Sequence, residues 1–577
     1  MLETIYNKVR NTIRKLDMKI QRVKYGYIDK LPKDIHYFEG GLYDAVYEAS
    51  CKWPHNTAIE YYSKQVTYKE LIKRINRVAR ALKAIGVEKG DRVTICMPNT
   101  PEEVCMFYAV NEVGAVANMI HPLSSEKEIE DFLNQSHSKV MLCIDVAYPR
   151  VEPIIKNTEV EHLIVTSATR SMDFVVKIAY WLTKGRKNHV KQTQKVMRWD
   201  TFMLQANKYI GNPHARVDND DLAVILYSGG TTGKSKGVML SNMNFNAQAL
   251  ISHYAAPDIL KTEGSFLTFL PNFHAFGAGI CTHIPLYWGM RVILIPQFSA
   301  KKMKKYIRKY HFSVLCGVPT LYDYMMRSKY GKNELKSITA VISGGDAISL
   351  PMKQKMNKFL RDHGSSAEVR VGYGLTEASG VASFSPLGLN KYADIIGYAL
   401  PDCEFFIQDL KTGKEANLGS DGEILLAGPT IMLGYLDNEE ATNEAFVEIK
   451  GKRYLRTGDI GFVDEKGLVH FKSRLKRMII TNGYNVYPSQ VEAAIMKCPA
   501  VDKCAVVGIE DQAHGENVRA YIVFKEGKDN RGSRNELQRI LRKELAKYEM
   551  PREWRYVTDL PLTKMNKIDF KALEQLD

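Results

Sequence analysis

No stretch of the 577 residues approaches the eighteen or so consecutive apolar positions that a membrane-spanning helix needs. The start, Met1-Leu2-Glu3, lacks the pattern of a cleavable signal. The nine cysteines are scattered, odd in number and without a CxxC pair. That argues against a disulfide framework and a zinc site and predicts reduced thiols. There is no internal repeat and no long low-complexity tract. Hydrophobic residues at 45% and charged residues at 25% are ordinary for a globular protein. These absences predict a cytoplasmic protein, and the length predicts two or more domains.

Acid is missing where base is dense. The net charge is +15, and residues 1–30 carry eight Lys or Arg against three acids. Residues 174–199 carry seven and no acid at all. Charge this local suggests surface patches instead of a generally basic protein. Over residues 2–24, Leu2, Ile5, Val9, Ile13, Leu16, Ile20 and Val23 recur at spacings of three and four, as in a basic amphipathic helix. The second patch joins Phe174, Val175, Ile178, Tyr180, Trp181 and Leu182 to its cations. Two readings stand: peripheral contact with an anionic inner membrane face, or a packed helix and a solvated hairpin. Nucleic acid is a poor partner, because no binding motif accompanies the charge.

Strand-like and helix-like patterns alternate from about residue 40 to 350, which predicts an α/β architecture. Thr67-Tyr-Lys-Glu70 has the form of a capping box, with Leu71, Ile75, Val78 and Leu82 following at helical spacing. Arg92–Cys96, Val140–Ile144, Phe266–Leu270, Arg291–Ile295 and Thr339–Ile342 read as strands. The last hundred residues form a small α+β pattern, with strands at Cys504–Ile509 and Arg519–Phe524. A capping box at Ser533–Glu536 would open its helix. The boundary is expected near Ser473–Lys476.

The densest signal is Tyr227-Ser-Gly-Gly-Thr-Thr-Gly-Lys-Ser-Lys-Gly-Val238, after the apolar run Leu222–Leu226. Glycine permits the dihedrals that aim backbone N–H groups at an anion, and the hydroxyls and lysines add donors and charge. Gly233-Lys234-Ser235 imitates the end of a Walker A loop, which needs four residues between its first glycine and the Gly-Lys pair. Gly229 leaves three, so a P-loop NTPase is excluded.

Ser-Gly-Gly-Thr-Thr-Gly-x-x-Lys-Gly resembles the phosphate loop of the adenylate-forming (AMP-forming) superfamily, which includes acyl-CoA synthetases. Ordered motifs extend the resemblance from about residue 40 to 575. It implies a large multi-subdomain N-terminal domain over 31–475, after the basic helix of 1–30, and a small mobile α+β domain over 476–577. It implies ATP, Mg²⁺ and coenzyme A. Ser228, Gly229, Gly230, Thr231, Thr232, Gly233 and Lys236 would hold phosphates. His274, in Leu270-Pro-Asn-Phe-His274, would position the carboxylate. Val318-Pro-Thr320 and Ser343-Gly-Gly345-Asp346-Ala347 would line the acyl pocket and the adenine edge. In Gly372-Tyr373-Gly-Leu-Thr376-Glu377, the resemblance puts Tyr373 on adenine, Thr376 on the α-phosphate and Glu377 on Mg²⁺. Asp459 and Arg474 would bind ribose, Lys476 would be the hinge, and Gly483 would belong to the loop serving the thiol. Lys567 would be the adenylation lysine, although Asn566 replaces the glycine usual before it.

The implied chemistry is attack of a carboxylate on the α-phosphorus of ATP, then transfer of the acyl group to coenzyme A. In acetyl-selective relatives a Trp stands two residues before the motif threonine. Here that residue is Gly374, and with Ala278 and Gly279 it predicts room for a medium- or long-chain fatty acid. Aryl or bile-acid-like acids, loading of a carrier protein, and a non-catalytic lipid-binding relative are the alternatives.

Overall fold

The computed structural model describes residues 35–172, 190–228, 235–389, 395–481, 484–511, 515–563 and 568–576. Its contacts divide the chain into two units, Met1–Phe405 with Leu426–Leu455, and Phe406–Leu425 with Arg456–Asp577. The boundary expected at residue 475 lies within the second unit. The reason is a hairpin, 456–463 against Val469–Arg474, whose Lys472 bonds Asp421 at 2.8 Å and whose Lys472 carbonyl accepts from Ser489.

The first unit contains two sheets of mostly parallel strands. One runs Lys236–Ser241, Leu222–Ser228, Val116–Met119, Arg92–Cys96, Val140–Ile144, His162–Thr166 and Val196–Arg198, with Gly434–Tyr435 beside Lys236–Ser241. All but the pairs made by Lys236–Ser241 are parallel. Strands covered on both faces are near-continuously apolar, and Val140–Ile144 is apolar and buried at every position. Helix Tyr68–Ala84 packs Leu71, Ile75, Val78 and Leu82 inward, each at most 1% exposed. Thr67 caps it by accepting from Glu70 N at 3.3 Å, but the Glu70 carboxylate turns to Arg74. Half of the expected capping box therefore forms.

The second sheet places Val369–Tyr373, Ala340–Ser343, Val314–Gly317, Ser265–Thr268, Arg291–Leu294 and Thr57–Tyr61 side by side, all parallel. Lys64–Thr67 closes one end antiparallel. Ser383–Phe384 lies antiparallel on the other side of Val369–Tyr373 and pairs in turn with Ile395–Ala399. The α/β expectation holds. In such sheets the ligand sits outside the carboxyl ends of the strands. Residues 270–274, 318–320, 343–347 and 372–377 all leave the carboxyl ends of four adjacent strands.

In the second unit, Tyr484–Val486, Ile479–Thr481, Gly515–Phe524, Val501–Asp511 and Glu553–Tyr556 make a five-stranded sheet. Alternation along Val501–Asp511 sends Val506 toward helices Pro488–Ile495 and Arg531–Glu544, and Ala505 and Val507 toward Leu560 and Leu573. The second helix starts earlier than the pattern at Ser533–Glu536 suggested. Asn530 is its cap, accepting from Ser533 N at 3.0 Å, so Ser533 lies inside the first turn.

Among the described residues no helix is long and apolar enough to cross a membrane. The expected helix over 2–24 lies outside the described residues, as does most of the 174–199 patch. Its described part includes the edge strand Val196–Arg198, with exposed Lys195 and Arg198. Cations on a sheet edge oppose pairing with another chain.

Candidate active site

Leu222–Ser228 and Lys236–Ser241 are antiparallel, and their last register pair is Ser228 with Lys236. A P-loop joins a strand to a helix, whereas this loop joins strand to strand, so topology also rejects Walker A. Ser228 Oγ donates to the Lys236 carbonyl at 3.5 Å. Gly229, Gly230, Thr231, Thr232 and Gly233 lie outside the described residues. After the hairpin, Ser241 and Asn244 form a reciprocal capping box that starts helix Asn242–Ala255.

Glu377 stands on a single tight turn, Thr376–Ala378, just beyond the strand end at Tyr373. The turn exits through Ser379 at φ +58 and Gly380 at φ +111. A left-handed serine needs support, and Ser379 is fully buried with its hydroxyl donating to the Thr430 carbonyl at 2.9 Å. Its own carbonyl accepts from Gln248 Nε2 at 2.6 Å. The Glu377 carbonyl accepts from Met432 N at 2.9 Å, and its carboxylate Oε1 accepts from Tyr435 Oη at 3.0 Å. Lys236 Nζ lies 4.7 Å from the centroid of the same Tyr435 ring. Burial and the Glu377 charge push the Tyr435 phenol well above its ordinary range, so it stays a donor.

This environment fits Mg²⁺. The ion takes oxygen ligands, keeps several waters and needs only one or two carboxylates beside substrate phosphates. Among the described residues no cluster of three or more His, Cys, Asp or Glu forms a complete protein cage. Glu377 is a half-buried carboxylate with one oxygen engaged by Tyr435, and the Thr376 hydroxyl is its chain neighbour.

Tyr373 packs beside Phe405, ring centroids 6.2 Å apart, against Ala378 and Ala382. Gly345, Asp346 and Ala347 are exposed, with Gly345 at φ +76 and Asp346 Oδ1 accepting from Ala347 N at 2.8 Å. A Cβ built on Gly344 would lie 2.9 Å from Phe276 and 3.1 Å from the Gly372 carbonyl. One on Gly380 would meet the Ala275 carbonyl at 3.0 Å. The loops bearing His274, Gly345 and Thr376 are thus brought together at backbone distance.

His274 precedes a π-helical stretch, Phe276–His283, and Phe273 beside it lies 4.4 Å from the His121 ring and 4.7 Å from that of His274. π-helical turns recur at functional sites. The loop is held from below by Asn272, whose amide donates to Glu103 Oε2 at 2.8 Å and accepts from Thr282 at 2.8 Å. Asn99 accepts from Asn272 N at 3.1 Å and donates to the Leu270 carbonyl at 2.8 Å. Burial pushes the Glu103 carboxyl up to about 8, against a lowering by the Asn272 hydrogen bond.

One expectation needs correction. A Cβ on Gly374 would lie 2.2 Å from the Gly380 carbonyl oxygen and 2.6 Å from Val381 Cα. A Cβ on Gly279 would lie 2.6 Å from Gln248 Oε1, and Ala278 is buried. The space these side chains lack is filled by backbone and by Gln248. Gly374 is required by chain packing and says nothing of acyl length.

In the second unit, Asp459 and Arg474 are register partners, with Arg474 Nε 3.0 Å from Asp459 Oδ1. Asp459 is 1% exposed, whereas Arg474 is exposed. Thr457 accepts from Asp459 N at 3.1 Å and donates to the Ile424 carbonyl at 2.5 Å. Lys476 is exposed on the turn Leu475–Arg477. Gly483 and Lys567 lie outside the described residues. Their flanks are paired, Thr481 with Tyr484 and Leu562 with Ile568.

Residues 47–436 match the family described as AMP-binding enzyme, and residues 490–567 match the AMP-binding enzyme C-terminal domain. The chain is 30% identical to a long-chain-fatty-acid–CoA ligase of Bacillus subtilis, covering 94% of this chain and 95% of that protein. It is 28% identical to the probable CoA ligase CCL5 of Humulus lupulus, over 89% of this chain and 88% of that one. Among solved structures, ATP-bound MatB from Rhodopseudomonas palustris superposes with a TM-score of 0.79 at 26% identity, covering 93% of this chain and 99% of that one. The chain belongs to the AMP-binding enzyme family and is an adenylate-forming enzyme of the acid–thiol ligase class.

Proposed function

We propose that the protein activates a medium- or long-chain fatty acid with ATP and transfers the acyl group to coenzyme A. The acid and the thiol are supported by the names of the Bacillus subtilis and Humulus lupulus relatives, and ATP by the MatB complex. The observation that carries the reading is the meeting of the 274–279, 344–347 and 372–380 segments at the carboxyl ends of neighbouring strands, with Glu377 bonded to Tyr435 and Lys236 over the Tyr435 ring.

In the first step a carboxylate oxygen attacks the α-phosphorus of ATP, and the bond to pyrophosphate breaks. Two anions must approach, so the work is charge neutralisation and alignment. Lys236, the hydroxyls and amides of residues 228–233, and Thr376 bind phosphate oxygens, and His274 orients the acid. Glu377 would hold Mg²⁺, which when bound would spread the phosphate charge. Tyr373 and the 345–347 turn bind adenine, and Asp459 with Arg474 binds ribose. Lys567 assists adenylation. In the second step the coenzyme A thiolate attacks the acyl carbonyl carbon of the mixed anhydride and AMP leaves with its bonding pair. Lys476 is the residue whose dihedrals change between steps, and the loop of Gly483 serves the thiol.

A panel of acids with ATP, Mg²⁺ and coenzyme A tests this reading, scored for pyrophosphate, AMP and acyl-CoA. Long-chain acids are expected to give all three products, and Lys567→Ala to abolish pyrophosphate exchange. Lys476→Pro is expected to keep exchange while thioester formation falls. Turnover only with shorter or aromatic acids would reassign the substrate. Transfer only to a holo-carrier protein would reassign the acceptor. Binding to anionic vesicles through 2–24 and 174–199 belongs to the same proposal. Absence of vesicle binding at every salt concentration would remove it.

A further inference from the structure

We infer that Tyr435 is a positioning residue for nucleotide activation, linking the carboxylate of Glu377 to the phosphate hairpin through Lys236. The inference rests on the functional reading above. A glutamate side chain has three rotors, and ordering it costs on the order of 1–2 kcal/mol of entropy. Glu377 sits on a turn of only three residues, so its backbone alone leaves the carboxylate free to swing. One hydrogen bond, from Tyr435 Oη at 3.0 Å, holds Oε1. Among the described residues Oε2 receives none, which leaves it to face a cation.

Tyr435 can do this because it is itself tied down. It forms a two-residue strand with Gly434, registered against Val238 and Met239 on the strand that leaves the phosphate loop. Leu433 N and Leu436 N donate to the Met239 and Gly237 carbonyls at 2.9 and 2.7 Å. Tyr435 N donates to Thr442 Oγ1 at 2.9 Å. The same segment reaches back to the Glu377 carbonyl through Met432 N. Glu377 is therefore held at both its backbone and its side chain by one short segment, 432–435, whose strand is in turn registered on the hairpin.

The ring supplies a second constraint. Lys236 Nζ lies 4.7 Å from its centroid, within the range of a cation–π contact. A phenol between a lysine and a glutamate gives each ion a partner weaker than the opposite ion. Each contact is weaker than an ion pair, so both charges remain available to phosphate and metal. Direct pairing of Lys236 with Glu377 would neutralise both before ATP arrived. Neither Tyr435 nor its segment belongs to a motif that the sequence singled out, because Tyr435 is 58 residues from Glu377 along the chain.

The test is calorimetric ATP binding by the whole protein, titrated with Mg²⁺, for the wild type, Tyr435→Phe, Tyr435→Leu and Glu377→Gln. Tyr435→Phe keeps the ring and removes the donor. Outer-shell partners of metal ligands typically contribute tenfold or more to metal affinity. Tyr435→Phe is therefore expected to raise the Mg²⁺ concentration at half-effect about tenfold, with metal-free ATP binding and melting temperature unchanged. Tyr435→Leu is expected to weaken metal-free ATP binding as well, because the ring beneath Lys236 is lost. In a Glu377→Gln background, Tyr435→Phe is expected to add nothing. An unchanged Mg²⁺ dependence in Tyr435→Phe, an equal loss of metal-free binding, or an additive double variant would overturn the inference. A wild type without Mg²⁺-dependent ATP binding would instead overturn the functional reading beneath it.

Discussion

The two sheets of the first unit are both built from parallel strands, yet they use polar groups in opposite ways. In the sheet containing Arg92–Cys96, one cluster of buried polar side chains is hydrogen-bonded within itself. Asn118 donates to Thr94 and Ser136 at 2.8 and 2.9 Å, and Ser138 joins Thr94 at 2.7 Å. Nothing in that network reaches solvent: Thr94, Asn118, Ser136 and Ser138 are all 0% exposed. In the sheet containing Val369–Tyr373, four neighbouring carboxyl ends open into loops whose chemistry-bearing groups are half-buried or exposed. Those loops lie so close that glycine is needed at Gly277, Gly344, Gly374 and Gly380. The polar cluster of the first sheet serves rigidity, while its hairpin and the Asn99–Glu103 pair support the loops of the second. The candidate site is a set of loops held at backbone distance, more than a pocket of side chains.

The largest effect is expected where that distance is violated. Gly374→Ala puts a methyl 2.2 Å from the Gly380 carbonyl oxygen, a backbone atom with no rotamer to change. We expect a loss of about 3 kcal/mol in urea unfolding. In the folded fraction we expect a fall of about 100-fold in pyrophosphate exchange, as for a displacement of about 1 Å. Gly86→Ala, a glycine at φ +89 with nothing within 4 Å of the added Cβ, separates local crowding from strain alone and should leave exchange intact.

Next is the support beneath His274. Asn272→Ala strips the donor from Glu103, which is 1% exposed, and should cost about 2 kcal/mol by leaving a buried group unmet. It should also lower acid-dependent exchange, because the loop carrying His274 loses its anchor. Asn118→Ala is the paired control in the other sheet. It should cost a similar 2 kcal/mol or so in stability while exchange per folded molecule stays within about twofold. Equal loss of activity in the two variants would erase the contrast between the sheets.

The smallest effect per step, at most about 1.4 kcal/mol for each pH unit, is a slope. Burial raises the folded Glu103 carboxyl to about 8, above its unfolded value. Between those values the unfolded chain releases a proton that the folded chain keeps, so stability falls as pH rises toward 8 and levels beyond it. Glu103→Gln removes the titration. Its stability relative to wild type should grow from pH 5 to pH 8, by at most about 1.4 kcal/mol per pH unit in chemical denaturation. A flat difference across that range would contradict the assignment.

The fold was legible where burial dictated pattern. Arg92–Cys96 and Val140–Ile144 match their expected ends, the second because a strand covered on both faces is apolar to its last residue. The strand expected over Phe266–Leu270 ends at Thr268, beyond which the Leu270 carbonyl turns to Asn99. The helix at Arg531 began earlier than expected because Asn530 and Ser533 both suit a cap, and sequence cannot rank them. The site was legible as motifs. Its geometry was not, for reasons of distance along the chain. Gly374 was read as empty space, although Gly380 fills it through a turn that only three dimensions reveal. Tyr435 escaped notice because its partners, Glu377 and Lys236, come from elsewhere in the chain.

The central claim is that the edge carrying Glu377 activates a carboxylate with ATP. Exchange of labelled pyrophosphate into ATP, measured with and without a long-chain fatty acid, tests it most directly. The account predicts exchange that requires the acid and falls at least about 100-fold in Glu377→Gln at an unchanged melting temperature. Acid-dependent exchange that survives in Glu377→Gln, or no exchange with any acid, would contradict it.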